Sequence, residues 1–145
     1  MEVEIICQLL LAIFLGALIG LEREYKGKEA GLQTYSLVAL GSCLFTIISF
    51  KLFKFFLNNP EVSFDPARII QAIAVGIGFI GAGVIFRQDS SVIGLTTAAG
   101  LWSTAAIGIA IGARFYLLAS FVTFLSILIL AGFGLLEEKF LRKNK

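Results

Sequence analysis

The sequence contains no histidine, and it is poor in charged residues, proline and cysteine. Without histidine, the chain has no obvious imidazole ligand for zinc and no imidazole base for acid–base catalysis. Charged residues make up 15% of the sequence, whereas a soluble domain typically has about a quarter. The cysteines Cys7 and Cys43 both fall in apolar stretches, which favours small buried hydrophobic side chains over a disulfide or a metal site.

The sequence also lacks the signals of an enzyme, of a nucleic-acid-binding protein and of a cleaved signal peptide. No nucleophile–base pair can be identified, so we expect a protein that is not an enzyme. We also expect no nucleic-acid partner. The first residues, Met1 to Glu4, are acidic where a signal peptide needs a basic region, so the first apolar segment is expected to remain as a membrane span.

Apolar residues dominate the sequence. They make up 58% of the chain, and the mean hydropathy is +0.93, which predicts an all-α integral membrane protein embedded in the lipid bilayer. A membrane span needs roughly 20 apolar residues, so we interpret residues 1–145 as one transmembrane domain. The predicted spans are 3–21, 32–50, 69–86, 92–113 and 115–136. Because only Arg114 separates the last two, one long broken helix is the alternative.

The distribution of lysine and arginine predicts the orientation, because cytoplasmic loops carry an excess of these residues. With five spans, one side carries four basic residues: Lys51, Lys54, Arg68 and Arg114. The other side carries eight: Arg23, Lys26, Lys28, Arg87, Lys139, Arg142, Lys143 and Lys145. We therefore expect the N-terminus outside the cell and the C-terminus in the cytoplasm.

Glycines recur where a membrane helix could use larger apolar residues. Small residues let helix backbones approach closely, so these positions are interpreted as packing faces. They are Gly16 and Gly20 in the first span; Gly76, Gly78, Gly81 and Gly83 in the third; and Gly100, Gly108 and Gly112 in the fourth. The stripes of the first and fourth spans offer more packing surface than a small bundle obviously needs, which predicts a homo-oligomer, most simply a dimer.

Two parts of the chain resemble each other. The segments 14–34 and 79–97 both contain Phe, an apolar residue, Gly and Ala, then a charged loop, then Gly-Leu-x-Thr. These matches predict a parallel repeat of two helical hairpins followed by a fifth helix. The alternative is a chance match among common residues.

Charged residues gather at the predicted cytoplasmic loops. One interpretation is a functional polar cluster; the other is an ordinary solvated helix end. The candidate members are Glu22, Arg23, Glu24, Arg87 and Asp89. Their carboxylates could hold Mg²⁺, the one candidate cofactor, which needs only one or two carboxylates. No carboxylate lies in the apolar centre of a span, however, and this weighs against transport.

Other polar residues have structural explanations. Asp65 is expected to cap the third helix, with Pro66 at its first position and Arg68 one turn on, on the outer face. Hydroxyls at Thr34, Thr96 and Thr97 are expected to cap the second and fourth helices. Two helix starts on one side concentrate positive dipole ends, which favours carboxylates or an anion there.

Several of these motifs together resemble the MgtC/SapB family of bacterial inner-membrane proteins. They are Gly-Leu-Glu-Arg-Glu at 20–24, Ala-Gly-Leu-x-Thr at 30–34, Asp-Pro-x-Arg at 65–68, the glycines at 76–83 with Arg87, and Gly-Leu-Thr-Thr-Ala-Ala at 94–99 with Trp102. The resemblance implies adaptation to low magnesium through contacts with other membrane proteins, such as the F-type ATP synthase. It also leaves open a transporter or channel for Mg²⁺ or another small ion.

The sequence departs from the family at four positions. Family members often have Arg where Gln33 stands and His where Tyr35 stands. The virulence-associated branch has Asn and Cys at the positions of Thr96 and Ser103, so its specific roles are not expected here. Longer members add a cytoplasmic domain after the last span, and this sequence is interpreted as a short form.

Overall fold

Five long apolar helices make up most of the computed structural model, which describes residues 2–57, 59 and 61–134. The helices are α1 (Glu2–Tyr25), α2 (Leu32–Phe56), α3 (Pro66–Gly83), α4 (Leu95–Gly112) and α5 (Tyr116–Ile127). A π-helical turn, Leu128–Phe133, extends α5. Each span is long and apolar enough to cross a membrane, which confirms the all-α membrane class and the five predicted spans.

A short β-hairpin corrects the predicted ends of the third and fourth spans. The strands β1 (Phe86–Gln88) and β2 (Ser91–Ile93) pair antiparallel, and Asp89 turns the chain in the left-handed region at φ 52°. The third helix therefore ends at Gly83 rather than at 86, and the fourth begins at Leu95 rather than at 92. The predicted end of the fifth span, at 136, lies outside the described residues.

The tight turn at Arg114 separates α4 from α5, so the alternative of one long broken helix is wrong. Arg114 has φ 70°, a left-handed conformation that reverses the chain. The amide N–H of Phe115 donates to the carbonyl of Ala110 at 2.8 Å, which closes the end of α4. Two separate helices then run in opposite directions on either side of this turn.

Helix α4 lies at the centre of the bundle and contacts each of the other four helices. Its glycines make this possible. A Cβ atom at Gly112 would lie 2.7 Å from the carbonyl oxygen of Cys43, and one at Gly108 would meet the carbonyl oxygen of Ala39. Because α2 packs backbone to backbone against α4 at these points, close packing of the fourth span occurs within one chain.

Helix α1 approaches α2 in the same way. A Cβ atom at Gly16 would lie 2.7 Å from the carbonyl oxygen of Tyr35, and one at Gly20 would lie 2.7 Å from the Cα of Leu32. At Gly100 of α4 the close neighbour is a side chain, the hydroxyl of Tyr35 at 2.5 Å. The three helices α1, α2 and α4 thus form a tightly packed core.

Helix α3 packs much more loosely. Its buried residues are Ile77 and Gly81. Among the described glycines of α3, a Cβ atom would find a neighbour only at Gly81, where the Cβ of Ala98 lies at 3.5 Å. An apolar groove of about 670 Å³ separates α3 from α2. The packing predicted for the remaining α3 glycines is absent within the described residues, since nothing lies within 4 Å of a Cβ atom at Gly76, Gly78 or Gly83.

The hairpins α1–α2 and α3–α4 are both formed, and one contact recurs between them. Gly16 faces Tyr35 in the first hairpin, and Gly81 faces Ala98, at the matching positions of the proposed repeat, in the second. The connections differ, because only the second contains a β-hairpin. The parallel repeat stays a prediction.

Trp102 and Cys7 both stand in apolar stretches of the sequence, and the side chains of both lie on the outer surface. Trp102 is 58% exposed and faces outward near the middle of α4. Cys7 is exposed too, whereas Cys43 is buried, and both are free thiols. The expectation of a buried cysteine is therefore correct for Cys43 and wrong for Cys7.

Candidate functional site: a buried ionic cluster beside an open cleft

A buried ionic cluster lies where α1 ends, at what we call the cleft end of the bundle. The buried face of α1 recurs every three or four residues and includes Gly16, Gly20 and Arg23. Arg23 therefore continues the face that packs against α2 and α4, and only 3% of its surface is exposed. The charge is placed inside the bundle by the helical period, and not left on a solvated helix end.

The Arg23 guanidinium joins α1 to α4. Its Nη2 donates to the hydroxyl oxygen of Thr97 at 3.0 Å. The hydroxyl of Tyr35, from α2, donates to the carbonyl oxygen of Thr97 at 3.2 Å. Thr97 thus links the ends of three helices, while the Nε–H of Arg23 has no acceptor within the described part of the chain.

Glu22 balances this charge. Its carboxylate lies 2.8 Å from the Nζ of Lys26 and 3.7 Å from the Nη1 of Arg23. Among the described residues, neither of its oxygens has a well-directed hydrogen bond, so the carboxylate is held mainly by charge. Removing one partner of a buried ion pair typically costs about 3–5 kcal/mol, because the other charge is left uncompensated.

Lys26 extends the cluster to the last helix. Its Nζ also donates to the carbonyl oxygen of Leu130 at 2.7 Å. Leu130 lies in the π-helical turn that extends α5. Lys26 therefore fastens α5 to α1 at the cleft end.

A cleft of about 730 Å³ opens beside this cluster. One wall is polar and comes from the end of α1 and the loop that follows it; it contains Arg23, Lys26, Lys28 and Glu29. The floor is the start of α4, residues 94–97, next to Val92 and Ile93 of the hairpin. The third wall is apolar and comes from the π-helical turn, with Ile129, Leu130 and Phe133.

The five residues of the predicted polar cluster divide into three places. Glu22 and Arg23 form the buried pair, whereas Glu24 accepts a hydrogen bond from the backbone N–H of Leu32 at 3.0 Å. Arg87 lies in the hairpin, where its Nε donates to the backbone oxygen of Asp89 at 3.2 Å. Within the described residues no ion pair joins Arg87 to Glu22, so Glu22 has other partners than the sequence suggested.

The helix-start hydroxyls do not have their expected role. Glycines, not hydroxyls, precede α2 and α4, and neither helix has a side-chain cap from its N-cap residue. Thr34 lies inside the first turn of α2 and lines the α2–α3 groove. Thr96 is exposed at the start of α4, and Thr97 accepts from Arg23. The capping prediction for the three threonines is therefore wrong.

The opposite end of the bundle carries the other predicted motif. The Asp65 carboxylate accepts from the backbone N–H of Ala67 at 2.9 Å and caps α3, as predicted, with Pro66 at the first helical position. Arg68 is exposed in the first turn. Arg114 pairs with Glu4 at 3.0 Å near the start of α1. This end lies a full helix length from Glu22.

No group of three or more metal-ligating side chains occurs within the part of the chain that the structure describes. The three carboxylates suggested for Mg²⁺ do not converge. Glu22 is held by Lys26, Glu24 by the N–H of Leu32, and Asp89 lies in the hairpin turn. These residues do not form a magnesium site in this conformation.

Sequence reasoning missed Lys26 and Tyr35 as participants in the cluster, and it did not predict that Arg23 points inward. Lys26 could have been found, because it stands four residues after Glu22, the usual spacing of a helical ion pair. The inward direction of Arg23 was also available from the glycine stripe that precedes it. Tyr35 and the bond from Arg23 to Thr97 depend on how α4 packs against α1, and no local pattern indicates that contact.

A multipass helical membrane protein with a buried ionic cluster at one end is the class that this fold and site define. The chain matches the MgtC family over residues 9–139, and it belongs to that family. No solved structure matches it significantly.

Three relatives illustrate the match. The "Putative magnesium transporter YhiD" of Escherichia coli (strain K12) is 42% identical over 144 residues, 99% of this chain and 67% of YhiD. The protein SapB of Bacillus subtilis (strain 168) is 45% identical over 114 residues, 78% of this chain and 49% of SapB. The protein MgtC of Salmonella typhimurium (strain LT2) is 46% identical over 107 residues, 74% of this chain and 42% of MgtC. The chain thus spans about half or less of SapB and MgtC.

Proposed function

We propose that this chain is a non-enzymatic inner-membrane protein that supports magnesium homeostasis through contacts with other membrane proteins. The observation that carries the proposal is the placement of the buried polar groups. The buried ionic cluster lies at one end of the bundle. A pathway for ions normally has ionisable residues within the membrane as well.

The interior hydroxyls support the same conclusion. Thr46, Thr104 and Thr123 each donate to the carbonyl four residues earlier in their own helix, at 2.8 Å. Their hydrogens are therefore used locally. The sequence has no Asp or Glu in 5–21, 32–56, 69–86 or 92–134, so the helix interiors offer no carboxylate to Mg²⁺.

The magnesium link comes from the family resemblance and from one relative, YhiD, whose name describes it as a putative magnesium transporter. Following the family resemblance, we expect the partner to be another inner-membrane protein, such as the F-type ATP synthase. A homo-oligomer is part of the proposal, and the open glycines of α3 support it, because small residues on an outward face allow a second helix to approach closely.

The test has two parts. Purified protein in liposomes should take up Mg²⁺ no faster than protein-free liposomes, measured with an enclosed magnesium-sensitive dye. In cells, a photo-crosslinker at outward-facing Phe79 should trap a membrane protein, whereas the same group at fully buried Leu101 should not. Uptake above the protein-free control would contradict the proposal.

Transport of Mg²⁺ is the second candidate function, and the description of YhiD as a putative magnesium transporter favours it. It predicts uptake into liposomes that increases with the amount of reconstituted protein. It also predicts that crosslinking from Phe79 yields only this chain or nothing.

We further propose that the cleft end faces the cytoplasm, with the N-terminus outside. The support is the sequence count of basic residues: four stand in the two connections at the cleft end, and four more follow the last span in the sequence, against four on the other side. In a chain with Cys7 and Cys43 replaced by alanine, a membrane-impermeant thiol reagent should label Ser63→Cys in intact cells. Ser90→Cys, in the hairpin turn, should react only after the cells are opened. Labelling of Ser90→Cys in intact cells would reverse the orientation.

A further inference from the structure

A small pocket opens at the end of the bundle opposite the cleft. It has a volume of about 210 Å³ and lies between the start of α1, the last turns of α2 and the end of α4. A water molecule takes up roughly 30 Å³ in the liquid, so the pocket has room for about seven waters. Its polar and charged side chains are Glu4, Gln8, Lys51, Lys54 and Arg114.

Gln8 brings an unpaired acceptor to this pocket. The residue is only 4% exposed, and its Nε2 donates to the carbonyl oxygen of Ile111 at 2.8 Å and to that of Gly112 at 3.4 Å. Because carbonyl oxygens only accept, these two contacts fix the orientation of the amide. The Oε1 accepts no hydrogen bond from a described residue, and it keeps accessible surface, unlike the enclosed oxygens of Glu22. Buried amide oxygens are normally paired, so this oxygen favours a donor in the pocket.

The end of α4 adds a second acceptor beside Gln8. The last carbonyls of a helix have no N–H partner within the helix, and the helix dipole adds negative potential at the same place. Gly112 lines the pocket, and within the described residues its carbonyl oxygen accepts only the long bond from Gln8. The inner part of the pocket therefore offers two oxygens to a positively charged donor.

The rim of the pocket has the opposite preference. Lys51 and Lys54 are three residues apart and so lie on one face of α2, at the end of a span, where lysine side chains extend to the membrane surface. Glu4 is already paired with Arg114 at 3.0 Å, and no ion pair joins either lysine to a described residue. The rim thus carries two positive charges that favour an anion.

We propose that this pocket binds a phosphoethanolamine group, with its ammonium on Gln8 and Gly112 and its phosphate at Lys51 and Lys54. An ammonium has three N–H donors and a positive charge, as the inner oxygens require, and a phosphate offers several oxygens to the two lysines. An anion alone would leave the Gln8 oxygen unpaired. A metal cation alone would be repelled by the lysines. A lipid headgroup and a soluble phosphoethanolamine ester both carry this chemistry.

The proposal goes beyond the proposed contact function and does not depend on it. Phosphatidylethanolamine and phosphatidylcholine are the decisive pair of ligands, because both carry a phosphate and a positive nitrogen and only the first has N–H donors. The purified full chain in nanodiscs should melt several degrees higher in phosphatidylcholine containing phosphatidylethanolamine than in phosphatidylcholine alone. The monomethylated and dimethylated headgroups should give intermediate values. Equal melting temperatures in all four lipids would overturn the proposal.

A second arm separates the two sources of the group. In detergent, glycerophosphoethanolamine is compared with glycerophosphocholine by melting temperature and direct titration. Stabilisation by the soluble ethanolamine ester identifies a soluble source. Stabilisation by phosphatidylethanolamine alone identifies a lipid headgroup. Stabilisation in neither arm contradicts the site.

A variant that fills the pocket distinguishes the site from a general effect of the bilayer. Ala113 is partly exposed and lines the pocket, so Ala113→Leu occupies the space without removing a polar group. We expect this variant to fold and to lose the difference between the two lipids. The matched control is Ala99→Leu, at an exposed position toward the other end of α4, which should keep the difference. An equal difference in both variants would assign it to the bilayer and would overturn the site.

Gln8→Met tests the inner acceptor, because methionine has a similar length and no amide oxygen. The variant should melt lower than the parent in every lipid, since the carbonyl of Ile111 loses its donor. Its melting temperatures with phosphatidylethanolamine and with phosphatidylcholine should be equal. If the difference between the two lipids persists, the ammonium does not bind at Gln8.

Lysine variants test the rim. The double variant K51Q/K54Q should bind phosphatidylethanolamine about threefold to tenfold more weakly, because two exposed charges are removed. Lys28→Gln at the cleft end is the control and should bind as the parent does. Equal loss in Lys28→Gln would show an effect of net charge alone and would overturn the site. Tighter binding by K51Q/K54Q would show that a lysine of this chain occupies the Gln8 oxygen, and the proposal would be wrong.

Discussion

The two sides of α4 differ sharply in how they use glycine. On the side of α1 and α2, glycines bring backbones into contact, as Gly112 does with Cys43 at 2.7 Å. On the side of α3, Gly76, Gly78 and Gly83 lie against open space within the described residues. The two sets cannot be distinguished by composition, since both stand in apolar helices at short spacing. Packing partners, not glycine content, decide which positions are structural.

The largest expected effect is at Gly108. Gly108→Leu would place four carbons against the carbonyl of Ala39 and the Cβ of Ser42, where the backbone cannot withdraw. We expect a loss of stability beyond the about 1–3 kcal/mol usual for overpacking, or failure to fold. Melting temperature in mild detergent measures it. Gly76→Leu is the matched control and should melt within a few degrees of the parent, because the α2–α3 groove has room for the side chain.

Gly108→Leu reports on the core and not on association. The glycine stripes of the first and fourth spans were the basis for predicting a homo-oligomer, but their contacts lie within the chain at Gly16, Gly100 and Gly108. The oligomer is still a prediction, and it now depends on α3. A normal melting temperature for Gly108→Leu would contradict the tightly packed core itself.

The second effect concerns the ionic cluster, which belongs to the tightly packed side. Glu22→Gln and Lys26→Gln should each lower the free energy of unfolding by about 3 kcal/mol, toward the lower end for buried pairs because Lys26 is partly exposed. The double variant should lose less than the sum, with a coupling of about 1–2 kcal/mol. A double-mutant cycle by denaturant or thermal unfolding measures the coupling.

Arg87→Gln is the control for that cycle, because Arg87 is exposed and contacts the backbone of Asp89. Combined with Glu22→Gln, it should be additive within about 0.5 kcal/mol. Strong coupling between Glu22 and Arg87, with none between Glu22 and Lys26, would restore the cluster first suggested by the sequence.

Sequence reasoning succeeded for features that depend on the residues of a single helix. Hydropathy indicated the five spans, and the Asp65 cap followed from residue types at a helix start. It was least informative where separate helices meet. The packing of four helices determines that Thr97 accepts a hydrogen bond from Arg23. It also determines that Glu24 accepts from the first N–H of α2, whereas no described side chain caps the start of α4. The end of α3 was misplaced because Val84, Ile85 and Phe86 are as apolar as a helix requires, yet they lead into a hairpin.

A smaller effect is expected on the loosely packed side, at the start of α3. Asp65→Ala removes the hydrogen bond to the N–H of Ala67 and should lower the free energy of unfolding by about 1 kcal/mol, as for other helix caps. Asp65→Asn keeps an acceptor and should recover most of the loss. Since α3 has few buried contacts, hydrogen exchange in its first turn should report the change better than global melting does. Equal exchange in Asp65→Ala and the parent would show that the cap contributes nothing.

The smallest expected change in stability is at Gly78, and it tests what the open face of α3 is for. Gly78 is exposed and has no neighbour within 4 Å of a Cβ atom, so Gly78→Leu should leave the melting temperature of the monomer unchanged. If a second copy packs against the α3 glycines, the same variant should weaken the dimer, because the helices can no longer approach closely.

Val75→Leu, at another exposed position of α3, adds volume without replacing a glycine and should leave the dimer intact. Light scattering in detergent and particle mass in nanodiscs measure the association. A parent protein that is monomeric in both settings would contradict the homo-oligomer, and the glycines of α3 would then face only lipid.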